Sequence, residues 1–184
     1  MDRIRHLALA FAIIPLLAGL VPQGHTSVWQ VSRSPKMRVV VAAGCPATVA
    51  GYQDVVNTFA GPPLVPASPR AGLVCRYGGL PQPGMLRRQT RLGTTQAAAL
   101  AKTIRALSLA TPREMWCPLA DGTVAVIALV YRDRPDVDLW YNASGCQSLD
   151  NGRIGAFEGN NPSFYTGFEQ TINQLSPPAG RPGL

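Results

Sequence analysis

Residues 123–131 have the sequence TVAVIALVY, which is the strongest strand signal in the chain. Apolar side chains occupy both alternating sets of positions, so other parts of the protein would cover both faces of this strand. Arg134 and Pro135 follow, and proline suits the second position of a type I turn. Residues 136–142 return as a partner strand, one face of which would carry Val137, Leu139 and Tyr141. The stretch therefore predicts the central strand of a sheet and the first arm of a hairpin.

Shorter strands are predicted on both sides of this hairpin. Residues 37–43 (MRVVVAA) and 72–77 (GLVCRY) precede it as apolar runs, and residues 152–157 follow it. Residues 61–69 (GPPLVPASP) contain too much proline for a regular element and predict a surface connection. Residue 77 is followed by a Gly/Pro loop and then by an arginine cluster, to which no strand or helix is assigned: Arg87, Arg88 and Arg91.

A helix is predicted over residues 94–109. Thr94 or Thr95 can cap its first turn, because a threonine hydroxyl accepts hydrogen bonds from free backbone N–H groups. Apolar side chains then recur at helical spacing and would form the buried stripe: Ala97, Leu100, Ile104 and Leu107.

A closing helix is predicted after Asn161 and Pro162, which suit the N-cap and the first helical position. Its buried stripe would be Phe164, Phe168, Ile172 and Leu175. A third, shorter helix is predicted near residues 49–59. The fold class is therefore α+β, with an antiparallel sheet of about four to five strands packed by two or three helices.

Residues 1–27 have the layout of a secretory signal peptide. A short net-positive start precedes residues 7–21 (LALAFAIIPLLAGLV), which carry no charge. A helix over that run would span about 22 Å, short of the roughly 30 Å hydrocarbon core of a membrane. A cleaved leader is favoured, and an uncleaved anchor that contacts the membrane through residues 7–21 is the alternative. The rest would form one α+β domain, residues 28–176, and a disordered Pro/Gly tail, residues 177–184.

The amino-acid composition limits the catalytic and metal-binding groups that the exported chain could contain. Both histidines, His6 and His25, lie within the leader, so the cleaved chain would lack histidine catalysis and histidine metal ligands. The net charge of +7 comes from scattered arginines rather than from a basic stripe, so no nucleic-acid partner is expected. The sequence contains no metal or nucleotide motif, and no cofactor is expected. These observations favour a non-enzymatic protein.

The four cysteines, Cys45, Cys75, Cys117 and Cys146, all lie beyond the leader. An even count in an exported chain predicts two disulfides, for which three pairings are possible. Cys117 and Cys146 flank the predicted hairpin, so local topology favours their pairing and therefore that of Cys45 with Cys75. If both bonds form, no thiol remains as a nucleophile.

The predicted helix leads into Trp116-Cys117-Pro118-Leu119-Ala120-Asp121, and Gly145-Cys146 follows the hairpin. This order of elements resembles the Streptomyces subtilisin inhibitor family. The resemblance covers residues 97–157. It implies a secreted α+β protein with two disulfides, whose loop of residues 117–120 presents a scissile bond to a protease. Leu119 would be the P1 residue that fills the specificity pocket, Ala120 would be P1′, and Cys117 and Pro118 would stiffen the loop.

Along the whole chain, Cys45-Pro46, Cys75-Arg76-Tyr77, a predicted helix, Cys117-Pro118 and Gly145-Cys146 follow one another. This order also resembles small exported actinobacterial proteins of unknown function. The expected function is that of a secreted or envelope-tethered, non-enzymatic domain that binds an envelope or extracellular partner or has a structural role. The alternative is a secreted serine-protease inhibitor that presents residues 117–120 to a secreted protease.

Overall fold

The computed structural model describes residues 43–49, 61–109 and 117–178, and six of its strands form one antiparallel sheet. The strand order across the sheet is β2-β1-β3-β4-β5-β6. The strands are β1 (Ala71–Tyr77), β2 (Leu86–Leu92), β3 (Val124–Val130), β4 (Val137–Asn142), β5 (Ser148–Asp150) and β6 (Gly155–Phe157). With its helices, the sheet gives the α+β fold that the sequence predicts.

β3 is the central strand that residues 123–131 predict. Every residue of β3 is buried, and the strand pairs with β1 on one side and with β4 on the other. Val126 lies opposite Cys75 of β1 and Trp140 of β4. On β4, the face predicted to carry the apolar residues points into the core, since Leu139 and Tyr141 are 1% exposed. Val137 packs against the same core.

Two strands of the sheet were not predicted from the sequence, and a third is shorter than predicted. β2 contains the arginine cluster to which no element is assigned, and β5 lies in a segment with no predicted strand. The strand predicted at residues 152–157 is shorter and occupies Gly155–Phe157. β2 escapes detection because it is an edge strand whose residues are mostly exposed and polar, so it lacks apolar alternation. The sheet therefore has six strands rather than four to five.

Helix α1 (Thr94–Arg105) begins where predicted and ends earlier than residue 109. Gly93, rather than a threonine, is the N-cap, and its N–H donates to the Gln96 side chain at 3.1 Å. The Thr94 hydroxyl instead donates to the Arg70 carbonyl at 2.7 Å. The predicted buried stripe is confirmed, since Ala97, Leu100, Ile104 and Leu107 are all at most 5% exposed.

The closing helix has π-helical turns over Phe164–Glu169 followed by α2 (Gln170–Leu175). Phe164, Phe168 and Ile172 of its predicted stripe are fully buried. The Asn161 side chain does not cap this helix. It donates instead to the Ser108 carbonyl at 3.0 Å, which joins the helix entry to the segment after α1.

The two faces of the sheet carry separate apolar clusters. The larger one lies between the sheet and the helices, where Tyr141 and Phe168 meet edge to face with ring centroids 5.0 Å apart. It also contains Leu64 and Val65, so the predicted surface connection at residues 61–69 buries part of its chain. The opposite face carries the second cluster, formed by Val49, Leu73, Cys75, Tyr77, Val124, Val126 and Ala128.

Several predictions fall outside the described residues. They are the leader of residues 1–27, nearly all of the strand at 37–43 and of the helix at 49–59, and most of the tail at 177–184. Among the residues that are described, no helix is long and apolar enough to cross a membrane.

Candidate functional site

Both predicted disulfides are confirmed. Cys45 pairs with Cys75 and Cys117 with Cys146, with Cα–Cα distances of 5.6 and 4.8 Å that lie within the normal range. All four cysteines are used, so the protein has no free thiol. Two disulfides indicate that the protein belongs to an oxidising compartment.

The segment of residues 117–123 (CPLADGT), here called the Leu119 loop, enters β3 without regular secondary structure. Its residues are exposed up to Gly122, and Leu119 has 95% of its surface in contact with solvent. An exposed leucine is common by itself, but the backbone on both sides of this one has fixed neighbours. The loop therefore combines a projecting apolar side chain with a supported main chain.

The N-terminal end of the Leu119 loop is fixed by the disulfide and by a close contact beneath it. Gly145, next to Cys146, has a φ of +69°, which disfavours any residue with a Cβ. A Cβ at Gly145 would lie 3.0 Å from the Ala120 Cβ and 3.2 Å from the Pro118 carbonyl oxygen. The loop thus packs directly on the Gly145 backbone.

The C-terminal end is fixed by hydrogen bonds. The Asp121 carbonyl accepts from the Leu80 N–H at 2.8 Å, and the Thr123 carbonyl accepts from the Ala143 N–H at 3.0 Å. Gly79 lies against Asp121 so closely that a Cβ there would be 2.6 Å from its carbonyl oxygen. These contacts connect the loop to the residue that follows β4 and to a second loop.

The Asp121 carboxylate adds a local link, because its Oδ1 accepts from the Thr123 N–H at 2.8 Å. Partial burial raises the pKa of Asp121, but hydrogen bonding from Thr123, led by its N–H, outweighs that effect. The pKa of Asp121 consequently lies below its usual value. The ionised carboxylate therefore stabilises the turn into β3.

The second loop, residues 78–84 (GGLPQPG), here called the Leu80 loop, connects β1 to the start of β2. Its backbone is hydrogen-bonded internally, from Gln82 N–H to the Gly79 carbonyl at 3.0 Å and from Gly84 N–H to the Gly78 carbonyl at 2.8 Å. Leu80 is 70% exposed. Sequence reasoning missed this loop as a site element, because its contact with Asp121 joins segments far apart in the chain.

A polar network lies between the sheet and the closing helix. Arg76 of β1 is 6% exposed, and its Nη2 donates to the Asn173 side chain at 2.7 Å. Desolvation lowers the pKa of Arg76, and the nearby Tyr141 and Glu169 oppose that shift. Burial also disfavours the charged form of Tyr141, which raises the pKa of its hydroxyl.

The two glutamates of this network are joined through Gln147. The Gln147 N–H donates to Glu158 at 3.1 Å and its side chain donates to Glu169 at 3.4 Å, while Tyr141 donates to the Gln147 side chain at 2.9 Å. Through Gln147, which precedes β5, these contacts connect β4 to the closing helix and to Glu158 after β6. The two carboxylates therefore accept hydrogen bonds that hold these segments together. Within the described residues, no group of His, Cys, Asp and Glu side chains could hold a metal ion.

Comparison of the chain with protein-family models, with curated proteins and with solved structures finds no match. The two resemblances seen in the sequence therefore remain expectations. The strongest candidate site is the pair of touching loops, in which all four predicted loop residues, Cys117, Pro118, Leu119 and Ala120, are exposed and Cys117 is bonded to Cys146.

Proposed function

We propose that the protein is an extracytoplasmic, non-enzymatic binding domain, secreted or tethered to the envelope, that contacts a protein partner through the Leu119 loop. The observation that carries the proposal is the 95% exposure of Leu119 on a main chain fixed at both ends. Binding energy at protein interfaces concentrates in a few side chains that enter pockets on the partner. A loop that is already ordered loses little conformational entropy when it binds.

Site-specific crosslinking tests this proposal. A photoreactive residue is placed at position 119 of the full chain, and at position 165 as the control, because Tyr165 is 50% exposed on the closing helix. We expect a crosslinked partner from position 119 only. The purified partner should then bind Leu119→Asp at least about tenfold more weakly than the wild type. Equal crosslinking from both positions, or a hydrolase activity that disappears when one carboxylate is replaced, would contradict the proposal.

The exposure of Leu119 also supports a more specific candidate, a serine-protease inhibitor with Leu119 as P1 and Ala120 as P1′. A substrate-like inhibitor needs a P1 side chain that is free to enter the enzyme and flanking backbone that resists displacement. The Cys117–Cys146 disulfide precedes Leu119, and the Leu80–Asp121 hydrogen bond follows it. Both ends of a cleaved Leu119–Ala120 bond would therefore stay attached to the protein.

Titration against a subtilisin-type and a chymotrypsin-type endopeptidase tests the inhibitor candidate. We expect stoichiometric inhibition by the wild-type protein, and a large loss of inhibition in Leu119→Gly and Leu119→Asp. Tyr165→Gln is the control, and it should inhibit like the wild type. Rapid cleavage after Leu119 without inhibition would show that the loop is a substrate only.

A further inference from the structure

We propose that Leu80 is a second contact residue of the inhibitor surface, and that it meets an apolar area of the endopeptidase beyond its specificity pocket. This inference rests on the inhibitor candidate above. Leu80 and Leu119 are the two most exposed large apolar side chains among the described residues, at 70% and 95%. They lie on loops that touch each other.

The position of Leu80 follows from one hydrogen bond. Its N–H lies 2.8 Å from the carbonyl oxygen of Asp121, which is two residues after Leu119. Residues after the scissile bond bind the primed subsites of a protease, which hold the leaving-group side of a substrate. Leu80 would therefore contact the enzyme on that side, next to the residue that follows Ala120.

The Leu80 loop is also ordered before binding. Its two internal backbone hydrogen bonds and the close approach of Gly79 to Asp121 fix its position relative to the Leu119 loop. Preformed geometry lowers the entropic cost of a second contact.

The surface shared by the loops favours an apolar partner area. Arg87, at the start of β2, donates its Nη2 to the Gln82 side chain at 2.8 Å, and the Asp121 carboxylate accepts from Thr123. The side chains of Arg87 and Asp121 are thus each hydrogen-bonded within the protein. Pro81, Pro83 and Pro118 are exposed around the two leucines. Exposed apolar side chains on loops that touch each other favour a protein-binding role for this surface.

The test measures inhibition constants of the full, disulfide-bonded chain against the same two endopeptidases. Leu119→Gln, Leu80→Gln and Tyr165→Gln are compared with the wild type, with urea unfolding as the check on folding. We expect the inhibition constant to rise about 100-fold or more for Leu119→Gln and about tenfold for Leu80→Gln. Tyr165→Gln should stay within about twofold of the wild type.

The rate at which the Leu119–Ala120 bond is hydrolysed separates a contact from a structural role. Loss of a contact raises the inhibition constant without faster hydrolysis, as we expect for Leu80→Gln. Faster hydrolysis in that variant would mean that Leu80 only orders the loop, which overturns the inference. A Leu80→Gln inhibition constant equal to that of the wild type, with Leu119→Gln inactive, overturns the inference and leaves the inhibitor candidate intact. If the wild type inhibits neither enzyme, the inhibitor candidate and the Leu80 inference both fail.

Discussion

The two disulfides close segments of almost equal length, with sequence separations of 30 and 29, yet they fix different kinds of structure. Cys75 is fully buried on β1, and Cys45 packs against the same apolar cluster. Cys117 is exposed at the start of the Leu119 loop. In the chain-entropy treatment, each bond lowers the entropy of the unfolded chain and so raises its free energy by about 3.6 kcal/mol. The difference between them therefore lies in the native state, where one belongs to a core and the other positions a surface loop.

Removing each bond in turn is the strongest test of this contrast. Replacing Cys45 and Cys75 with alanine should lower the free energy of unfolding by about 4–6 kcal/mol, since buried sulfur contacts are lost along with the cross-link. Replacing Cys117 and Cys146 with alanine should lower the free energy of unfolding by about 2–4 kcal/mol. Cys117 is exposed, so the cross-link is lost with few packing contacts. Urea unfolding, monitored by circular dichroism, measures both free energies of unfolding. The reverse order would show that the loop disulfide supports the core.

A smaller change can loosen the Leu119 loop while both disulfides stay intact. Gly79→Ala places a Cβ 2.6 Å from the Asp121 carbonyl oxygen, so the two loops must separate. We expect a loss of about 1–3 kcal/mol in the free energy of unfolding and faster cleavage at the Leu119 loop by added protease.

Gly167→Ala is the matched control for that variant. A Cβ at Gly167 would lie 3.7 Å from the Ser163 Cβ, which is ordinary contact. Because alanine restricts the unfolded chain, this variant should gain about 0.4–1 kcal/mol. If Gly79→Ala were equally neutral or stabilising, the loops would not be in the close contact described above.

The contrast also shows which features a sequence can predict. The core around β3 was predictable because its apolar residues are adjacent in the chain, and the stripe of α1 because its residues recur at helical spacing. The disulfide pairing was predictable because Cys117 and Cys146 flank a local hairpin. In each case the signal comes from neighbouring or periodic residues.

The features that were missed depend on contacts between distant segments. Nothing near Leu80 in the sequence indicates that its N–H meets the Asp121 carbonyl, and nothing near Gly79 indicates what lies against it. β2 was missed because its three arginines face solvent at the sheet edge, where no apolar alternation is required. The exposure of Leu119 was an expectation of the inhibitor hypothesis, but its neighbouring Leu80 loop could be found only from the structure.

The buried disulfide region should respond to alkaline pH. Tyr77 is buried, its hydroxyl donates to the Pro46 carbonyl at 3.2 Å, and burial raises its pKa to about 12. The unfolded chain releases this proton near pH ~10, so the stabilisation is complete below that pH and is lost as the pH rises towards the folded pKa. Tyr77→Phe should show a shallower loss of unfolding free energy above pH ~10, with Tyr165→Phe as the control. An unchanged slope would argue against this link beside Cys45.

The Leu119 loop should respond to acid instead, with the smallest effect of the series. Hydrogen bonds from Thr123 outweigh the opposing effect of partial burial and lower the pKa of Asp121, so the folded protein favours the carboxylate. The contribution of Asp121 to the free energy of unfolding is therefore present above the unfolded pKa of ~3.9 and is lost as the pH falls through the folded pKa.

Two substitutions separate the hydrogen bond from the charge. Asp121→Asn keeps an oxygen that can accept from the Thr123 N–H but cannot ionise, whereas Asp121→Ala can neither accept that bond nor ionise. At pH 7 we expect Asp121→Asn to be the more stable of the two variants, and below pH ~4 its unfolding free energy should fall less steeply than that of the wild type. Urea unfolding across this pH range, together with the rate of protease cleavage at Leu119, measures the effect. A wild-type slope in Asp121→Asn would mean that the carboxylate plays no part in fixing the loop.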